Sequence, residues 1–208
     1  MPENTNDVAR RIRSSDLFDF MSYTQLIIFK DGKADGGVEY RNAWGGSARI
    51  WNALFAAHVP KKHEYDSWLS NNGNDKRLWD LATRQDLPMF ERAVHAFTFD
   101  HFYVRRENFG RLADDLRAFV EKYPAGECVD HLPAWAKWLD ENSNVEAVGL
   151  YGTSVSENIW HRAKSCPHCG NSTDETEPVP LSEGTEVYEW LEASKSNGRG
   201  ERPGQKDA

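Results

Sequence analysis

The chain has 208 residues, 39% of them hydrophobic and 12% aromatic, with eight Trp. That is enough apolar material for one domain of ordinary size, and it excludes global disorder. The formal net charge is −8, but residues 172–193 hold seven Asp and Glu and no Lys or Arg, which leaves 26 acidic against 25 basic groups elsewhere; a near-neutral body excludes a basic nucleic-acid binder and an extended acidic mimic of nucleic acid.

Residues 1–20 are expected to begin loosely. Met1–Arg13 is polar and charged and lacks the apolar stretch of a secretory signal. No apolar run reaches the roughly 18 residues that a spanning helix needs. The expected compartment is the cytoplasm, with no membrane contact.

Tyr23–Phe29 (YTQLIIF) is rich in β-formers, and Asp31-Gly32 follows as a turn signal. Val38 and Tyr40 then alternate with polar residues, so the pattern predicts a hairpin with strands near 22–29 and 36–43. Ser47 suits the cap of a helix on which Ile50, Trp51, Leu54 and Phe55 share a face, and Pro60 ends it. Shorter helices are predicted at 63–70 and 75–84. Pro88 fits the first turn of another, with Phe90, Ala93, Val94 and Phe97 at helical spacing. Phe99–Val104 reads as a third strand or a turn.

Residues 108–122 carry the clearest amphipathic stripe: Phe109, Leu112, Leu116, Phe119 and Val120. A helix opening at Pro133 turns Trp135, Trp138 and Leu139 inward. Val145–Tyr151 reads as a strand. From Asn171 the composition turns to Glu, Ser, Gly and Pro. The sum is an α+β fold: a small antiparallel sheet, made of the 22–43 hairpin and a strand near 145–151, packed against several helices that cover one face. A single domain is expected over 21–170, followed by a disordered, largely flexible acidic tail over 171–208.

Cys166-Pro167-His168-Cys169-Gly170 is the sharpest motif. Two thiolates two residues apart can grip one tetrahedral ion, and Gly after the second Cys relieves the tight turn. Cys128 and His131 repeat the spacing upstream, so Cys128, His131, Cys166 and Cys169 make a candidate structural Cys3His zinc site, with His161 or His168 as alternative fourth ligands. Two free thiols in a polar loop are the competing reading. The CPHC tetrapeptide also resembles the active-site motif of thiol oxidoreductases of the thioredoxin fold. The resemblance covers four residues, and the helix and βαβ pattern it implies are missing.

Other constellations are weaker. Trp44-Gly45-Gly46-Ser47 lacks the full phosphate-loop pattern. Asp100 and His101, with His95 and Arg105 nearby, could supply acid–base chemistry. Ser154 follows a strand but lacks the nucleophile elbow. Most Trp residues fall at apolar helical positions and read as core; Trp160 and Trp190 fall outside that pattern and read as exposed interface anchors. Val187, Trp190 and Leu191 lie at i, i+3 and i+4 among Glu residues, which suits a helix docked on a partner or on its own domain.

The expected function is a non-enzymatic binding or regulatory protein acting through another protein, zinc-stabilised, with no sequence-specific nucleic-acid contact. One version is an inhibitor that places the acidic tail in the basic channel of a nucleic-acid enzyme. The alternative is a hydrolase or transferase using Asp100 and His101 or Ser154.

Overall fold

The computed structural model describes residues 9–12, 23–41, 46–61, 76–124, 131–152, 159–169 and 171–197. Its strands are β1 (Ala9–Ile12), β2 (Tyr23–Lys30), β3 (Lys33–Arg41), β4 (Phe102–Arg105), β5 (Ala147–Gly152), β6 (His161–Ser165), β7 (Ser172–Pro178) and β8 (Thr185–Glu186). Its α-helices are α1 (Gly46–His58), α2 (Lys76–Trp79), α3 (Met89–Ala96), α4 (Phe109–Lys122), α5 (His131–Glu141) and α6 (Val187–Asn197). This is an α+β fold.

The central sheet runs β1-β3-β2-β5-β4-β8, and β6 and β7 form a separate ribbon. The β2–β3 hairpin closes through two residues with positive φ, Asp31 at 50° and Gly32 at 72°. That two-residue turn has the handedness of twisted strands, which is why Asp-Gly marks it in the sequence. β5 pairs antiparallel with β2 on the far side, Leu26 opposite Leu150, as the apolar pattern of 145–151 predicts. Among the described strands β8 alone pairs parallel, against β4.

The helices cover one face. There Leu26, Ile28, Val38, Tyr40, Val104, Val148 and Leu150 meet apolar side chains of α1, α3, α4, α5 and α6. The opposite face is covered as well, by a smaller layer. Ile27, Phe29, Ala34, Tyr103 and Ala147 lie beneath Trp160, Val179 and Leu181. β2 is therefore buried on both sides, and its continuous apolar run LIIF is what such a strand requires.

The helix after Pro88 and the stripe at 109–122 form where the spacing predicts. The 75–84 segment splits into α2 and a 3-10 turn over Asp80–Thr83. α5 starts at His131, with Pro133 in its first turn, where no backbone donor is needed. The ambiguous Phe99–Val104 segment resolves into a turn and then β4. The helix predicted at 63–70 and Trp68 lie outside the described residues.

Residues 171–197 differ from the expected flexible tail. They contribute β7, β8 and α6, and Val179, Leu181, Val187, Tyr188 and Leu191 are buried. Sparse apolar residues at the right spacing anchor a segment whose average composition is acidic. Trp160 corrects a second expectation. It is 0% exposed, its indole N–H donates to Leu150 O at 3.2 Å, and its ring stands edge-on to Phe29 at 4.8 Å. Gly149 makes this seat: a Cβ there would lie 2.8 Å from the Trp160 ring. Trp190 is half-buried against Phe99 and Phe102. No helix among the described residues is long and apolar enough to cross a membrane.

Candidate functional site

The CPHC motif forms the turn of the β6–β7 ribbon. Pro167 fixes one backbone angle there, and Cys166 N–H donates to Asn171 O at 2.7 Å, closing the loop. The backbone N–H groups of His168 and Cys169 aim at the Cys166 sulfur, and these, with the Cys169 side chain, pull the Cys166 thiol below its ordinary range. Donors converging on sulfur favour thiolate, the form that binds metal. Cys166 is partly buried and Cys169 exposed.

The ribbon's second strand touches β3, while its first is largely open to water. Arg162, Ala163, Lys164 and Ser165 are all exposed. Its base is fixed in the smaller core, where Val179 N–H donates to Trp160 O at 2.8 Å. His161 sits at that base, and burial pushes its imidazole pKa down. The flanks carry their own ion pairs: Arg162 with Glu177 at 2.8 Å and Glu183 at 3.0 Å, and Lys164 with Glu175 at 2.9 Å.

Of the four residues named as zinc ligands, Cys128 lies outside the described residues. His131 opens α5, buried, with its ring edge-on to Tyr40 at 6.0 Å. Tyr40 belongs to the helix-covered core, whereas the ribbon is rooted in the opposite layer. Among the described residues no three His, Cys, Asp or Glu side chains gather as a metal set. The geometry thus brings Cys166 and Cys169 together and does not add His131 to them.

A second constellation was invisible in the sequence. Glu91, 0% exposed, lies in α3, between α1 and α4. His58 Nε2 is 2.6 Å from Glu91 Oε2 and 3.1 Å from the Tyr123 hydroxyl. That hydroxyl donates to Glu91 Oε1 at 3.1 Å, and Lys122 Nζ pairs with the same oxygen. Burial and the adjacent carboxylate hold the Tyr123 phenol well above its usual range. The His58 side chain is 16% exposed and that of Lys122 43%, so the cluster meets water at these two members. Its partners lie more than 30 residues apart in sequence, and no local spacing rule could have joined them. The one local sign is a charged pair, Glu91-Arg92, inside an otherwise apolar helical run.

The other catalytic candidates are scattered. Asp100 is exposed. His101 occupies left-handed backbone, with φ at 62°, its carbonyl accepts from Thr185 N–H at 2.8 Å, and its ring leans on Trp160 at 5.5 Å. That is the geometry of a turn locking β8 to β4. Ser154 lies outside the described residues. The acidic segment is largely answered within the molecule. Glu192 pairs with Arg111 at 3.2 Å, and Glu186 is buried, accepting from Asn108 Nδ2 at 3.0 Å and from Glu189 N–H at the start of α6 at 2.8 Å.

Compared with known protein families, with curated proteins and with solved structures, the chain shows no match.

Proposed function

We propose that this chain is a non-enzymatic binding protein that works through protein–protein contacts, with the β6–β7 ribbon as its contact element and zinc as the tie at the ribbon's tip. One observation carries the reading: a ribbon exposed along β6 ends in a closed turn that holds Cys166 and Cys169 three residues apart. A two-strand ribbon is marginal in water by itself, and a metal at its tip supplies local folding free energy. Reduced thiols suit the cytoplasm, the proposed compartment. Because Arg162 and Lys164 are met by Glu177, Glu183 and Glu175, the ribbon offers a shaped edge rather than a strong field. The same pairing, with Glu192 held by Arg111, leaves little free charge for the inhibitor version, in which the acidic segment fills a basic channel.

The test is site-specific photo-crosslinking in the native host. A photoreactive residue at the exposed Ala163 is expected to capture a protein partner, while the same residue at the exposed Lys137 of α5 captures none. Equal capture at both positions, or none at Ala163, defeats the reading.

One observation favours a second reading, acid–base catalysis in a hydrolase or transferase: the partly exposed His58 imidazole held on a buried carboxylate, the arrangement that orients a general base. It replaces Asp100, His101 and Ser154 as the residue to test. A panel of ester and phosphoester substrates, turned over by the wild type and not by His58→Gln, would carry it.

A further inference from the structure

Cys166 and Cys169 offer two sulfurs to a metal, and among the described residues, which do not include Cys128, no third His, Cys, Asp or Glu gathers with them. A closed structural zinc site takes four ligands, with Zn–S bonds of about 2.3 Å. The turn supplies two sulfurs three residues apart, with the N–H groups of His168 and Cys169 directed at the first. His168 is exposed beside them, yet it does not gather with both thiols into a set of three. His131 is committed to the core against Tyr40, in the layer opposite the ribbon's root. His161 lies at the root of the ribbon, four residues before the end of β6.

The tip is also the part of the ribbon farthest from the buried base at Trp160 and Val179. The strand ends beside it are polar: β6 ends in Lys164 and Ser165, and β7 begins with Ser172 and Thr173. Glu177 and Glu175 are each paired within the ribbon, with Arg162 and Lys164, which lowers the repulsion that two tips would meet on approaching end to end.

We propose that the Cys166–Cys169 pairs of two copies of this chain hold one zinc ion between their ribbon tips, making a zinc-dependent homodimer. This rests on the ribbon being the contact element and names its partner as a second copy. Four Zn–S bonds form, and the four thiol protons pass to the buffer, leaving a tetrathiolate centre of net charge −2. The two ribbons then extend one another, and each body stays outside the contact.

The experiment is zinc titration of the full chain, kept reduced, with metal content and mass measured on the same sample by elemental analysis and light scattering. The expected result is one zinc per two chains, a doubling of mass on adding Zn2+ alone, and return to monomer with EDTA. Cobalt in place of zinc should give the visible absorption of a tetrahedral thiolate centre. Cys166→Ser and Cys169→Ser should each abolish uptake and dimer formation. His168→Ala and Cys128→Ser should keep both, which guards against reading a folding failure as ligand loss. A monomer holding one zinc per chain, or loss of the ion in Cys128→Ser or His168→Ala, overturns the shared site. So does a chain that takes up no zinc. In those cases crosslinking at Ala163 that persists leaves the ribbon as a contact element, whereas its loss removes the broader reading too.

Discussion

Glu91 sits where a charge is costly to keep, and three neighbours make it tolerable. Removing one member of a buried ionic set strands the others, but the members are not equal. Lys122 is 43% exposed on its side chain and can return to water, whereas the Glu91 carboxylate is the hub for His58, Lys122 and Tyr123. Glu91→Gln is therefore expected to lower stability by about 2–4 kcal/mol, and Lys122→Met by less than about 1 kcal/mol, in urea unfolding. Comparable losses would mean that the lysine, and not the carboxylate, organises the cluster. Gln25 presents the opposite case. It is 0% exposed on β2, and its side-chain amide finds no hydrogen-bond partner among the described residues. Gln25→Met replaces an unmet amide with an apolar chain of similar length and should raise stability by about 1 kcal/mol; a loss would reveal a bond that the amide makes. His161 sets a pH dependence. Its folded pKa lies below the unfolded value because burial disfavours the imidazolium. The unfolded state then binds more protons, so stability is full above about pH 6.5 and declines as pH falls through that value. Urea midpoints at pH 7.5 and 5.5 should differ less in His161→Asn than in the wild type.

At the scale of elements, legibility followed locality. The Asp31-Gly32 turn, the stripe on α4, the start of α3 after Pro88 and the strand at 147–152 were readable because each is set by neighbours within a few residues. α6 was read only as a possibility, because seven carboxylates outweigh Val187, Trp190 and Leu191 in any composition average. Its anchoring depends on Phe99 and Phe102, which lie about ninety residues upstream of Trp190. Leu191→Ala should cost about 2–5 kcal/mol, as for a core leucine, in thermal or urea unfolding; a cost near zero would return α6 to the tail. Trp160 was misread for a related reason. Its burial depends on Gly149, a residue whose value is the side chain it lacks. The candidate site divided likewise. The CPHC turn was legible as local chemistry, while the partition of His131 from it, and the whole Glu91 cluster, are products of topology.

For the molecule as a whole, the sheet separates two cores of unequal size, with the ribbon rooted in the smaller one. The ribbon tip should thus be dispensable for the body's stability although its root is not. Replacing residues 166–171 with Asn-Gly, a turn suited to joining paired strands, is expected to move the unfolding free energy by less than about 0.5 kcal/mol in EDTA. Trp160→Ala, at the root, should cost about 3–5 kcal/mol. A large loss from the tip replacement would show that the ribbon supports the body instead of being carried by it.

The parallel pairing of β8 with β4 carries a consequence for how this protein comes into being. Phe102 is made early, but its partners across that edge, Thr185 and the half-buried Trp190, are added more than eighty residues later. During synthesis, at about 5–20 residues per second, the aromatic edge of the nascent sheet must wait for several seconds without its cover. A chain stalled on the ribosome before residue 185 should therefore present Phe99 and Phe102 to chaperones, and release from them should coincide with the emergence of α6.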